Sequence, residues 1–551
     1  MMRGLLVLVV ACVAACNGGR GPAQTLGERS EPASVQWWVG TGSANHDPQS
    51  PVCVGGGASF CGRMVDPEVP GAVADELLAR AMVVSDTQDR HFMLISTTNI
   101  GYFLAYKAGE GAGHGIYDMR LRIAEATGMD SRHIVVVSDH SHNGPDTVGI
   151  WGGVSPDYKA ITADAVVAAG IQAWQSRQPA VLRVAAINSN DSPLDGVPRL
   201  ESSYNSAPGL DPDQGNPSNQ FRMLVADHAD SGERLLTLVN YAPHATVING
   251  VATDKLSGDW AAWAPQEAQA LFGGFGLAAV GSVGATDWNK SGGDAAEREA
   301  EARARLRLLM SAAQDQLQAV RGQGIQLESV FIRELITQPV LLLNYKPRLP
   351  SNQDGSALQH YDIRIDRALT PPFLQGALFG TYVTAVRIGE LFFSTFPGEP
   401  FGELEAALRE RVRDPQAHFL LGAANDFFGY MTFRDETYWQ TFSTGATWLL
   451  GCPEQDLVYD PLGLDYDGAC TDHWSLMVSP TIGQHIVCTL HSAALELGFD
   501  VAEADARCAA LTALDGLAPP AESTASSANP AITQEQCEAR GAPQSWCKTL
   551  D

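Results

Sequence analysis

A chain of 551 residues, 45% of them hydrophobic, can bury a substantial core, and this excludes a disordered protein. Its formal charge of −27 and pI near 4.8 exclude a nucleic-acid backbone or an anionic membrane surface as the main partner, because like charge repels both.

The first feature in chain order is an address. Arg3 precedes an apolar run of twelve residues, Gly4 to Ala15, which closes on Val13-Ala14-Ala15-Cys16. Twelve residues are too few to cross a hydrocarbon core of about 30 Å, so residues 1–15 read as a signal peptide. The closing tetrapeptide resembles a bacterial lipobox, which makes Cys16 the expected lipidation site and the membrane partner an N-terminal lipid anchor. A plain signal peptide with a coincidental cysteine is the alternative. Asn17, where Asp is absent, points to the outer membrane of a two-membrane envelope. Residues 16–35 read as a flexible tether. No composition break divides residues 36–510, and residues 511–551 read as a Pro/Ser-rich linker with a small cysteine-bearing tail.

Apart from Cys12 and Cys16 there are eight cysteines, an even number that fits disulfides in an exported protein. Neighbours in sequence suggest Cys53 with Cys61, Cys452 with Cys470, Cys488 with Cys508 and Cys537 with Cys547. No Cys-x-x-Cys pair argues for a zinc cluster.

Short apolar runs alternate with helical stretches, the pattern of an α/β fold in which sheets are flanked by helices. The strands expected are Ile134–Val137, Val181–Ile187, Leu235–Val239, Leu277–Val280, Val383–Ile388, Leu391–Phe396 and Phe419–Leu421. The helices expected are Tyr158–Gln175, Trp260–Phe272, Asp294–Val320 and Pro400–Val412.

Four side chains with metal-binding capacity follow four of these strands, where sites in open α/β sheets gather. His140 lies in Ser138-Asp139-His140-Ser141-His142-Asn143-Gly144-Pro145-Asp146. In an extended segment it shares a face with His142, and Gly144-Pro145 then turns the chain away. His244 ends Asn240-Tyr241-Ala242-Pro243-His244. Glu399, in Phe396-Pro397-Gly398-Glu399-Pro400, stands before a helix, where a carboxylate also suits the helix dipole. Tyr430 closes Asn425-Asp426-Phe427-Phe428-Gly429-Tyr430. Taken singly, each has a bland reading: exposed loop, satisfied core histidine, helix-start carboxylate, packing aromatic.

Together their order and context resemble the catalytic domain of the neutral ceramidases, over roughly residues 82–450. The family's His-Thr-His-Ser-Gly-Pro is echoed by His140-Ser141-His142-Asn143-Gly144-Pro145, and its strand ending in His-Pro by Tyr241-Ala242-Pro243-His244-Ala245. Its Pro-Gly-Glu-Phe is echoed by Pro397-Gly398-Glu399-Pro400, and its Asn-x-Tyr-x-x-Tyr-x-Thr-Thr by Asn425 to Phe433. Weaker echoes are Ser257-Gly258-Asp259, Asn188 to Pro193 and the Gly-rich stretch Gly281 to Asn289. The resemblance implies one zinc ion per chain, held by His140, His244, Glu399 and Tyr430, and a hydrolase that cuts the N-acyl amide of ceramide or a related N-acyl lipid.

Zinc of this kind lowers the pKa of bound water to about 7 and supplies hydroxide at neutral pH. His142 is the expected donor to the tetrahedral intermediate or leaving amine, with direct ligation as its alternative role. Two anionic ligands, Glu399 and Tyr430, would cancel the metal's charge, so Tyr430 is expected to be distant or partly protonated.

Three departures bear on substrate. Asp191 stands where the family has an arginine that contacts substrate, and Phe442 where it has a pocket tyrosine, which removes a hydroxyl. Trp288 changes the Gly-rich stretch. The stretch after residue 510 is expected to be a linker and small tail, without the immunoglobulin-like domain common in the family. Altered substrate positions keep a second class open, a surface-anchored binding lipoprotein on an inactive hydrolase scaffold. A third reading is metal-assisted cleavage of an ester or phosphoester.

Overall fold

The computed structural model describes residues 37–56, 61–106, 111, 113–149, 151–189, 201–202, 219–288, 292–336, 364–365, 377–431, 481–513 and 515–516. The leader and tether, and Cys16, Asp191, Phe442, Cys452, Cys470, Cys537 and Cys547, lie outside these residues.

The principal strands, in chain order, are β1 (Trp37–Asn45), β2 (Leu78–Ser85), β3 (His91–Thr97), β4 (Ile134–Ser138), β5 (Gln178–Asn188), β6 (Gln220–His228), β7 (Arg234–Tyr241), β8 (Phe275–Val280), β9 (Ile325–Ile336), β10 (Ala377–Ile388), β11 (Leu391–Thr395) and β12 (Ala417–Leu421). The principal helices are α1 (Ile116–Thr127), α2 (Pro156–Gln175), α3 (Trp260–Phe272), α4 (Ala295–Gln314), α5 (Gly402–Arg411) and α6 (Ile482–Glu496). Every residue of β3, β4, β11 and β12 is buried, as expected of apolar runs covered on both faces.

The larger sheet runs β8-β7-β6-β5-β1-β2-β3-β4. Its interior pairs are antiparallel, while the outermost pairs, β7 with β8 and β3 with β4, are parallel. The second sheet runs β9-β10-β11-β12, and β11 pairs with β12 in parallel. Right-handed twist accumulates over many strands and curls the larger sheet. Arg80 of β2 thereby donates to the Gly276 carbonyl of β8 at 3.2 Å and lies over the Phe275 ring.

The turn after β12 ties both edges of the curled sheet. Gly422 N–H donates to Val280 of edge strand β8 at 3.0 Å. On the other edge, Ala423 accepts from Ser138 at 3.0 Å and Asn425 N–H donates to Val136 at 2.7 Å. A Cβ at Gly422 would lie 2.4 Å from the Gly281 carbonyl oxygen, so only glycine permits this approach. The loops after β4, β7, β11 and β12 are gathered here by backbone hydrogen bonds.

Helices cover the sheets. α2 starts at the Ser155 cap with Pro156 in its first turn, and lies so close to β1 that a Cβ at Gly40 would meet the Ala173 carbonyl at 2.0 Å. α4 stops at Gln314, six residues short of the expected Val320, because Gln318–Ala319 pairs with β5 instead. Sheet pairing there overrides helix propensity. Cys53–Cys61 and Cys488–Cys508 are disulfides, as their spacing suggested. No helix among the described residues is long and apolar enough to cross a membrane.

Candidate metal centre

His140 follows β4 by two residues and adopts φ 56°, a left-handed conformation rare for a side chain with a Cβ. Its surroundings hold it there. Asp139 N–H donates to the Thr97 carbonyl at 3.0 Å, Ser141 N–H to Asp139 Oδ1 at 3.2 Å, and the imidazole stacks on Phe427 with ring centres 5.5 Å apart. The His140 Nδ1–H donates to the Ile100 carbonyl at 2.6 Å. A carbonyl can only accept, so the neutral ring keeps its lone pair on Nε2.

His244 is built in the same way. Its loop lies beside the first through Ser141 and Ala245, and His142 N–H donates to the Ala245 carbonyl at 3.0 Å. Thr286 offers its carbonyl to the His244 backbone N–H at 2.8 Å and to Nδ1 at 3.1 Å, again leaving Nε2 as the acceptor. The weaker sequence echoes have structural roles here. Asp259 accepts from the N–H groups of Val247 and Ile248, anchoring the loop beyond His244 to the start of α3, and the Gly-rich stretch delivers the Thr286 carbonyl.

Glu399 and Tyr430 sit opposite each other in a short parallel ribbon, where paired side chains share a face. Tyr430 is buried against Phe401, with ring centres 6.0 Å apart. A Cβ at Gly284 would lie 2.5 Å from the Glu399 backbone carbonyl, which shows how tightly the Gly-rich turn packs against the Glu399 backbone.

These elements converge. Glu399 Oε2 stands 3.2 Å from His140 Nε2 and 3.2 Å from His244 Nε2, and His142 Nε2 stands 3.4 Å from His140 Nε2. Nitrogens of all three histidines lie within 4.8 Å of one another. Donors bound tetrahedrally to zinc at about 2.0–2.1 Å are separated by roughly 3.3–3.4 Å, so these spacings fit one ion. The electrostatics agree. Burial pushes the Glu399 carboxyl upward, but the charge and hydrogen bonds of His140 and His244 outweigh it and hold the group well below the usual range. Burial lowers His244, and the Glu399 carboxylate more than reverses this. Lone pairs of two tautomer-locked imidazoles and a carboxylate facing one point require a cation between them, protons or a metal.

Two solved structures share this architecture. One, described as a ceramidase complexed with C2, matches at 15% identity with a TM-score of 0.58, over 86% of this chain and 77% of that one. The chain has the ceramidase fold. A second, the neutral ceramidase of Pseudomonas aeruginosa, matches at 15% identity with a TM-score of 0.57, over 88% of this chain and 78% of that one. No protein-family model matches the sequence. No curated protein matches it either.

Within the ceramidase fold, the structure brings His140, His142, His244 and Glu399 together and pairs the Tyr430 backbone with that of Glu399. Sequence reasoning missed the orienting carbonyls of Ile100 and Thr286 and the stacking of Phe427, since a backbone oxygen carries no residue-type signal. It also missed Asp139, buried behind His140. Burial pushes its carboxyl up to about 8 against hydrogen bonds from Thr98, Ser141 and Asn99.

Proposed function

We propose that the chain is a zinc-dependent hydrolase that cleaves the N-acyl amide bond of ceramide or a related N-acyl lipid, releasing a fatty acid and an amine. The observation that carries this reading is the convergence of two Nε2 lone pairs and the Glu399 carboxylate on one point, inside a fold shared with ceramidases. His140, His244, Glu399 and Tyr430 are the proposed metal ligands. The ion, when bound, acidifies a water to pKa about 7 and polarises the scissile carbonyl.

The chain's own groups do the rest. The Ile100 and Thr286 carbonyls take the Nδ1–H of each ring, so that in the neutral imidazoles the lone pair sits on Nε2, facing the cation. His142 is less buried than the other two histidines and so faces the approach to the site, where its imidazole donates a proton to the leaving amine. The Cys53–Cys61 loop backs it: a Cβ at Gly56 would strike its ring at 2.1 Å, and Arg63 donates to its carbonyl at 3.0 Å. We further propose export as an envelope lipoprotein anchored through Cys16, with Asp191 and Phe442 facing substrate.

The test is metal analysis of the purified chain followed by turnover of N-acyl amides and esters. His140→Ala is expected to lose both zinc and turnover. His142→Ala is expected to keep zinc and lose about 10²–10⁴-fold in kcat, the usual worth of a positioned proton donor; loss of zinc would instead make His142 a ligand. Zinc bound with no turnover of any substrate would favour the binding reading, and preferential ester cleavage would displace the amide.

A further inference from the structure

One buried cluster on the helix side of the larger sheet is rich in hydrogen-bond donors. Arg305, on α4, is 4% exposed, and its Nε and Nη2 hydrogens have no acceptor among the described residues. Its guanidinium lies over the Trp288 indole, 5.3 Å from the ring centre. Trp288 is also 4% exposed, and its Nε1–H has no acceptor. The Tyr241 ring stands 6.1 Å from that of Trp288, and the Tyr241 hydroxyl and the buried Ser189 hydroxyl are likewise unpartnered. Burial pushes the Tyr241 phenol upward, while the Arg305 charge and the nearby Ser189 hydroxyl pull it down. Trp260, the neighbouring indole, does satisfy its N–H, at 2.9 Å from the Pro243 carbonyl. Single buried atoms lack partners elsewhere among the described residues, Arg63 Nε and Arg120 Nη1 for instance, but here unpartnered groups of four residues lie in one cluster.

Burying guanidinium N–H groups that have no acceptor among the described residues is unfavourable, and stacking on an indole recovers only part of that cost. Guanidinium, indole N–H and two hydroxyls are together complementary to an acceptor-only group, and a carboxylate is such a group. The cluster adjoins the candidate metal centre along the chain. Tyr241 is three residues before His244, and Trp288 is two residues after Thr286, whose carbonyl holds the His244 ring. At 3.8 Å per residue, those Cα atoms lie within about 12 Å of the site loops, a span one substrate can bridge.

We propose that Arg305, Trp288, Tyr241 and Ser189 bind a carboxylate carried by the substrate, so that the enzyme prefers an anionic N-acyl amide, such as an N-acyl amino acid, over a neutral one. This rests on the amide-hydrolase reading above and narrows its substrate class. Trp288 then acts as a specificity residue, and the chain supplies from α4 a cation that the acidic Asp191 does not.

The experiment compares N-lauroyl amino acids, with the carboxylate one to four carbons from the amide nitrogen, against the same amides ending in a hydroxymethyl group. The zinc-loaded full chain is expected to show kcat/KM at least about tenfold higher for the charged member of one such pair, the range for hydrogen bonds to an ionised group. In Arg305→Gln the charged-to-neutral ratio is expected to fall about tenfold or more. A purely structural arginine would lower both substrates alike and leave the ratio unmoved, which would overturn the proposal. Binding of N-lauroylglycine to His140→Ala protein, read by calorimetry, separates this idea from the hydrolase reading. If no amide is turned over but binding weakens tenfold on adding Arg305→Gln, the pocket stands and the hydrolase reading falls. If chloride or sulfate stabilises the protein through Arg305 while the carboxylate does not bind, the cluster holds a structural anion and the proposal is wrong.

Discussion

His140 combines an unfavourable backbone with a fixed imidazole tautomer. A left-handed non-glycine residue costs on the order of 1–3 kcal/mol and persists only where its surroundings over-determine it. Here the Ile100 carbonyl, the Phe427 ring and the Asp139 hydrogen bonds impose it. Another buried histidine gives a residue-scale prediction that avoids the metal. His46 is enclosed, with Nδ1 3.0 Å from the Tyr158 hydroxyl and Nε2 3.3 Å from Thr97 Oγ1. Burial lowers its pKa to about 4, although nearby Asp47 pulls the other way. Between about pH 6.5 and 4 the unfolded chain therefore binds a proton that the native chain refuses. Stability falls as pH drops through that window, by about 3 kcal/mol for a shift of this size. His46→Gln should flatten this part of the acid limb in urea unfolding run from pH 7 to pH 4; parallel limbs for the two proteins would refute the assignment.

At the scale of elements, the turn Ser282–Thr286 carries two jobs: its Thr286 carbonyl orients His244, and its Gly284 backs Glu399. Glu405 of α5 braces it from behind, accepting from the Ser282 hydroxyl while pairing with buried Arg222. Gly284→Ala places a methyl group 2.5 Å from a carbonyl oxygen and 2.6 Å from the Phe401 ring. Overpacking of this kind costs about 1–3 kcal/mol. Thermal unfolding should show a lower Tm, and chelator competition a weaker zinc affinity; unchanged affinity would mean that the turn does not shape the site. Elements of this kind were unevenly legible. Trp260–Phe272 was read to the residue because Asp259 caps it and Gly273 stops it. Ile134–Val137 and Phe419–Leu421 were visible as apolar runs, within the strands Ile134–Ser138 and Ala417–Leu421. By contrast, β1 carries Gly40, Gly42 and polar residues in place of a clean alternation, and its strand state comes from β2, β5 and the close approach of α2. The helix expected up to Val320 was overruled by pairing with β5. Of the candidate residues, His140, His142, His244 and Glu399, which the structure brings together, were legible by motif, while the donors of the Arg305 cluster come from distant segments that no spacing connects.

At the scale of the molecule, four loops from two sheets meet only because the larger sheet curls and the Gly422–Asn425 turn binds both its edges. The Cys53–Cys61 disulfide adds a covalent tie beside His142, in keeping with an oxidising compartment. Intact mass of the chain recovered from bacterial envelopes is expected to show a mature protein that begins at an acylated Cys16, and Cys16→Ser is expected to release it from the membrane. An unacylated chain cleaved at another residue would contradict the anchor. The central claim is that one cation unites His140, His244 and Glu399. Anomalous diffraction at the zinc edge from crystals of the purified chain tests it most directly. The account predicts a single strong peak about 2.0–2.2 Å from both Nε2 atoms and a Glu399 oxygen; a protein that takes up zinc yet shows no peak there, or shows it elsewhere, would contradict it.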